Sequence, residues 1–145
     1  MLEIFFAYRF SNGEIHIDGN VGHDACHNMS SGTITITGNA HNSFCQQMCG
    51  GTVTLEGNLF GVKNNLHEFY SFFKMTNGNV HIKGNADNIG IVEGGTIYID
   101  GDVKRIWQIQ GGEIHIKGNF DKREIDFSTT MNGKIFLKDG EIVQG

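Results

Sequence analysis

One short unit, repeated seven times, decides what this chain can fold into. A small or polar residue and a Gly precede five residues of alternating polarity, and Gly-Asn usually closes the unit. The copies are NGEIHIDGN from Asn12, SGTITITGN from Ser31, GGTVTLEGN from Gly50 and NGNVHIKGN from Asn77. Then come GGTIYIDGD from Gly94, GGEIHIKGN from Gly111 and a degenerate NGKIFLKDG from Asn132. The opening glycines, from Gly13 to Gly133, are spaced by 19, 19, 27, 17, 17 and 21 residues. So short a period marks a solenoid, in which each repeat buries its apolar face on the next.

Alternation over five residues places one strand in each unit, with one face in and one out. The inward positions make two columns. Ile15, Ile34, Val53, Val80, Ile97, Ile114 and Ile135 form one, and Ile17, Ile36, Leu55, Ile82, Ile99, Ile116 and Leu137 the other. All are aliphatic and most are β-branched, which suits a pleated surface. The connectors align as well. Val21, Ala40, Leu59, Ala86, Val103 and Phe120 each follow the closing Gly-Asn or Gly-Asp, and Met29 matches Met48. A hairpin meander would join its strands by two-to-five-residue turns. Connectors with apolar positions of their own predict parallel stacking instead. The expected fold is all-β: a single-stranded, right-handed parallel β-helix of about seven coils, the hand following the usual crossover preference.

The expected organisation is one β-helix domain over residues 12–145 behind an N-terminal cap segment, 1–11. Phe5, Phe6, Tyr8 and Phe10 suit that cap. A hairpin over about 134–144 turns at Asp139-Gly140. Asn20, Asn39, Asn58, Asn85 and Asn119, with Asp102, predict a turn-making ladder, since Asn tolerates left-handed backbone and stacked Asn side chains hydrogen-bond. The third coil is interrupted by an aromatic-rich insert over about 59–76. Leu66, Phe69, Tyr70 and Phe73 are spaced as one face of a short helix. Phe60, Phe69, Tyr70, Phe72 and Phe73 are the candidate interface residues.

Composition limits the function classes. A net charge of −5 with 39% hydrophobic residues fits neither a disordered chain nor a nucleic-acid binder. The 21 glycines without a single Pro suit regular tight turns. Three cysteines are too few and odd for a secreted disulfide framework. No apolar run is long enough for a membrane-spanning helix, and Glu3 and Arg9 break the N-terminal apolar stretch. The expected location is cytoplasmic, with no membrane partner.

Two connectors carry a family pattern. Gly19–Gly32 reads GNVGHDACHNMSSG and Gly38–Gly51 reads GNAHNSFCQQMCGG. This resembles the repeat of the GXGXG β-helix family, which includes the C-terminal domain of the glutamate synthase large subunit and one of the subunits of formylmethanofuran dehydrogenase. Gly-Asn-Val/Ala, Met29/Met48, and the closing Gly32 and Gly50-Gly51 stand in that register. The pattern covers Gly13 to about Gly118. The chain departs from it where Cys26, Asn28, Cys45 and Gln47 replace mid-connector glycines. The resemblance implies a solenoid that performs no chemistry itself and forms a structural part of a large enzyme.

The same connectors hold the residues most suited to chemistry. Cys26 and Cys45 are one period apart, Cys49 follows, and His23, His27 and His41 lie nearby. A thiolate–imidazole metal site would draw on Cys26, Cys45, Cys49 and His27. No CxxC pair is present, and core packing is the commoner role of such Cys. His16, His81 and His115 fall in one outward column with Thr35, Thr54, Tyr98 and Phe136. No two of these His occupy adjacent coils, so they are expected as exposed strand residues. Asp18 and Asp100 are too many coils apart to act as a carboxylate pair, and Thr-x-Thr recurs on only two coils. No cofactor is expected. The leading reading is a non-enzymatic assembly module, self-associating or docking as a subunit of a larger oxidoreductase-type complex. The alternative is a metal-binding or enzymatic module at the Cys/His region.

Overall fold

In a computed structural model the described residues are 7, 9–41, 43–61, 74–125 and 132–144. They form β1 (Glu14–Ile17), β2 (Thr33–Ile36), β3 (Thr52–Leu55), β4 (Lys74–Met75), β5 (Asn79–Ile82) and β6 (Ala86–Val92). β7 (Thr96–Ile99), β8 (Val103–Ile109), β9 (Glu113–Ile116), β10 (Lys134–Phe136) and β11 (Ile142–Gln144) follow, with a 3-10 turn at Lys122–Glu124. The repeat strands stack in one wall, in the order β1-β2-β3-β5-β7-β9-β10-β11. Every pair from β1 to β10 is parallel and registered by repeat position, as in Ile15 with Ile34 and Val80 with Ile97. A second wall stacks β4, β6 and β8, also in parallel. The chain is thus a parallel β-solenoid of about six turns, because the seven repeat strands enclose six intervals.

Both inward columns face the core. Eleven of their fourteen residues are buried, and Ile15, Ile17 and Leu137, in the terminal coils, are half-buried. The connector positions join them: Val21, Ala40, Leu59 and Ala86 are buried, as are Met29, Met48, Met75 and Val92. Leu59 bridges to both Ala40 and Ala86, and Met48 to Met75. Leu59–Phe60 and Lys74–Met75 therefore hold regular coil positions, and the insert proper is shorter than 59–76. The helix expected from Leu66 to Phe73 lies outside the described residues.

The asparagine column forms a ladder, with the backbone as its donor. The Asn20 side-chain oxygen accepts from the Asn39 N–H at 2.8 Å, Asn39 from Asn58 at 2.7 Å, and Asn58 from Asn85 at 2.8 Å. Asn85 accepts from Asp102 at 2.8 Å and Asp102 from Asn119 at 2.7 Å. Asp102 serves as well as Asn because only an acceptor oxygen is needed. The Gly before each rung has a steric reason. A Cβ on Gly84 would lie 2.7 Å from the Gly57 carbonyl carbon, and closer still to the Gly57 carbonyl oxygen and the Asn58 side-chain oxygen.

The 19-residue and 17-residue coils differ in one place. Nine residues, 21–29, cover the side that seven residues, 86–92, cover as β6. The longer connectors fit because alternate residues turn left-handed: Asp24, Cys26 and Asn28 at φ of 62°, 63° and 59°, and Ser43, Cys45 and Gln47 at 60°, 55° and 56°. Ala7 and Arg9 repeat this one period earlier, at 56° and 57°. The Arg9 N–H donates to the His27 carbonyl at 2.7 Å and the Ser30 N–H to the Phe10 carbonyl at 3.0 Å, so 7–10 stack as a partial coil on the first connector.

At the other end β11 pairs antiparallel with β10, Ile135 facing Val143 and Phe136 facing Ile142. Gly140, at φ 89°, forms the turn, and the Leu137 N–H donates to the Glu141 carbonyl at 2.9 Å. β11 is the last strand of the wall.

Candidate functional site

The solenoid brings Cys26 and Cys45 together in the core, both fully buried. The Cys45 N–H donates to the Ala25 carbonyl at 2.9 Å, which fixes the two connectors in register. Burial pushes the Cys45 thiol well up, and its hydrogen bond and electrostatic interaction with Cys26 add to the shift. Such a thiol stays neutral and packs as a small apolar group. Cys49 does not join them. It is exposed, and its Sγ lies 3.6 Å from the Met29 carbonyl oxygen. Among the described residues no group of three or more His, Cys, Asp or Glu side chains is placed to hold a metal ion. The set of Cys26, Cys45, Cys49 and His27 is therefore not assembled as a ligand cage. The other two connector histidines lead outward: His23 lies 6.0 Å from His41, ring to ring, and His41 lies 5.5 Å from Phe60.

Of the candidate interface residues, Phe60 is 38% exposed at the root of the insert. Phe69, Tyr70, Phe72 and Phe73 lie outside the described residues.

The outward face of the main wall carries more than scattered strand residues. Parallel register sets His81 beside Tyr98, Tyr98 beside His115, and His115 beside Phe136. Their ring centroids are 6.2, 4.8 and 4.4 Å apart, and the last two pairs are stacked at 21° and 3°. Tyr98 is 43% exposed. The expectation that His81 and His115 do not adjoin is met, but Tyr98 fills the gap and turns the column into a continuous ladder. The missed signal was the full column of His, Tyr, His and Phe, legible once each position is read by ring instead of by His alone.

A charged column flanks the ladder. Asp100 accepts from His81 Nε2 at 3.0 Å and from Lys117 Nζ at 3.5 Å. Partial desolvation raises the Asp100 pKa, but the hydrogen bond and charge of His81, with Lys117, outweigh it and hold the carboxyl below its usual range. Glu113 pairs with His115 Nε2 at 3.0 Å on the other side. Lys138 reaches the Asn119 side-chain oxygen at the end of the asparagine ladder. Between the aromatic and lysine columns runs an open groove of about 400 Å³.

No family model, curated protein or solved structure matches this chain. Among the described residues no helix is long and apolar enough to cross a membrane.

Proposed function

We propose that the chain is a non-enzymatic assembly module, a rigid solenoid that self-associates and docks as a subunit of a larger complex. The observation that carries this reading is the outer edge of the main wall. β11 ends the sheet with one side of its backbone unpaired by any described strand. On it Ile142 is 53% exposed, the most exposed large hydrophobic residue among those described. An edge strand with an apolar side chain is a template for another chain unless it is covered. Two copies of β11 related by a two-fold axis pair antiparallel, which extends both walls through one isologous contact. We also propose that the chain is a divergent GXGXG-type solenoid. The left-handed backbone at Cys26, Asn28, Cys45 and Gln47, where the family pattern carries glycine, supports that reading.

Sedimentation velocity over a concentration series tests the self-association. The wild-type chain is expected to shift from monomer to dimer with rising concentration. Ile142→Lys, on the exposed edge, should hold it monomeric with an unchanged melting curve. A wild-type chain that stays monomeric throughout, or an Ile142→Lys chain that associates as before, overturns the assignment of this edge.

A further inference from the structure

We propose that Asn12 is a self-modification site: the Gly13 backbone nitrogen attacks the Asn12 side-chain amide, expels ammonia and, through a cyclic imide and water, leaves aspartate or isoaspartate in its place. The proposal does not rest on the assembly reading, since Asn12 leads into β1 and β11 ends the same wall at its far side.

Three units open with Asn-Gly, at Asn12, Asn77 and Asn132. The pair is prone to this chemistry because Gly has no side chain to shield its nitrogen or restrict its backbone. The structure separates the three. The Gly13 N–H donates to the Asn12 side-chain oxygen at 2.9 Å, and the Gly78 N–H to that of Asn77 at 2.9 Å. Each contact holds the nitrogen next to the carbonyl carbon it must reach, for which a near-attack separation is about 3–3.5 Å. Asn132 is arranged differently. The Gly133 N–H is turned to the Ile109 carbonyl of the preceding coil at 3.4 Å, and Gly133 is buried.

Freedom to close the ring then separates Asn12 from Asn77. Closure rotates the Asn-Gly peptide, and a coil packed on either side opposes that rotation. Asn77-Gly78 is held on both sides. A Cβ on Gly78 would lie 3.0 Å from the Gly51 carbonyl oxygen, and one on Gly95 would lie 2.7 Å from the Gly78 carbonyl oxygen. The Gly78 carbonyl also accepts from the Thr96 N–H at 3.0 Å, while the Asn79 N–H donates to Gly51 at 2.9 Å. Asn12-Gly13 is held on one side. The Gly13 carbonyl accepts from the Thr33 N–H at 2.9 Å, but a Cβ on Gly13 would meet nothing within 4 Å. Asn12 and Gly13 are both exposed, so base and water reach them.

The step balances with water alone as co-reactant. A solvent base takes the Gly13 amide proton, and the nitrogen bonds to Asn12 Cγ. The bond from Cγ to the side-chain nitrogen breaks, and that nitrogen leaves as ammonia. Water then opens the imide at either carbonyl. One opening restores the main chain with aspartate at position 12. The other runs the main chain through Cγ, as isoaspartate. Either product puts a carboxylate into the turn before β1.

Peptide mapping by mass spectrometry tests this on the full chain, aged folded in warm, mildly alkaline buffer and, in parallel, unfolded in urea. In the folded chain Asn12 should convert at least about tenfold faster than Asn77 or Asn132, the scale set by misplaced reacting atoms. Isoaspartate should appear among the products, as detected by an isoaspartyl methyltransferase. In urea the three sites should convert alike, because the dipeptide is the same. Asn12→Gln, confirmed as folded by its melting curve, should remove most of the ammonia released by the folded chain. Conversion at Asn12 no faster than at Asn132 in the folded chain overturns the proposal. So does the same ranking in urea, which would assign the difference to flanking sequence. Aspartate without isoaspartate overturns the imide route, and undiminished ammonia from Asn12→Gln places the chemistry elsewhere.

Discussion

The solenoid uses glycine for two different physical reasons, and a pair of substitutions separates them. Gly84 sits where consecutive coils nearly touch. An added methyl would lie 2.7 Å from the Gly57 carbonyl carbon, well inside van der Waals contact, so the coils must part by several tenths of an ångström. That parting strains two bonds: Gly84 N–H to the Gly57 carbonyl at 3.0 Å, and Asn85 N–H to the Asn58 side chain at 2.8 Å. Overpacking of this kind costs about 1–3 kcal/mol, and each weakened hydrogen bond up to about 1 kcal/mol more. Gly84→Ala should therefore cost about 1–5 kcal/mol, a large share of a domain stability of roughly 5–15 kcal/mol. Gly13 is the contrast. Its φ is 88° and a Cβ there would meet nothing within 4 Å. Gly13→Ala bears only the left-handed backbone, about 1–2 kcal/mol, partly offset by a stiffer unfolded chain. Urea unfolding followed by circular dichroism measures both. Asparagine sharpens the comparison, because it tolerates left-handed backbone but is larger than alanine. Gly13→Asn should be milder than Gly13→Ala, and Gly84→Asn harsher than Gly84→Ala. Equal costs at the two sites, or an asparagine that rescues Gly84, would refute the close-approach reasoning.

Three further outcomes follow from the same geometry. Gln47 is exposed with φ 56°, so Gln47→Gly should relieve backbone strain and stabilise by about 0.5–1 kcal/mol; Asn28→Gly, at a residue already suited to that conformation, should change little. Ile114→Asp places an unpaired charge in the fully buried column and should abolish cooperative melting, whereas Glu113→Ala, on the outward face beside it, should cost under about 1 kcal/mol. Because the folded Cys45 thiol is held neutral above its usual range, the unfolded chain loses its proton first as the solution becomes alkaline. Stability should fall as pH rises through the ordinary thiol pKa of about 8.5, and Cys45→Ala should remove that slope in pH-dependent urea melts.

Much of this fold was legible because its signals are periodic. The inward columns, the closing Gly-Asn and the stacked Met29 and Met48 each recur at the coil period, and the register follows from alignment of the repeats alone. Connector geometry was less legible. Cys26 and Gln47 do not announce a left-handed backbone, since the cost of about 1–2 kcal/mol is met by packing of the whole coil. The thiol pairing of Cys26 with Cys45 was readable from their one-period spacing, but the outward exposure of Cys49 was not, as it depends on the turn that follows Met48. The aromatic ladder was written in the sequence yet hidden by residue type: His, Tyr, His and Phe share no ligand chemistry, and only their shared column makes them one feature. The site's charges were harder still, because Asp100, Lys117 and Lys138 have ordinary surface identities until the register sets them beside those rings.

The central claim is that the coils are interchangeable units stacked in parallel register, and removal of one whole unit tests it most directly. Deleting Gly95–Gly111, seventeen residues, joins Gly94 to Gly112 and sets β9 where β7 stood. Val80 then meets Ile114 in the inward column, and the Asn85 side chain meets the Asn119 N–H. A thermal melt of this shortened chain, followed by circular dichroism, is expected to show one cooperative transition from a β-rich spectrum at a modestly lower temperature. A chain that is unfolded at the start of the melt, or that unfolds without cooperativity, would contradict coil-on-coil stacking as the source of the fold.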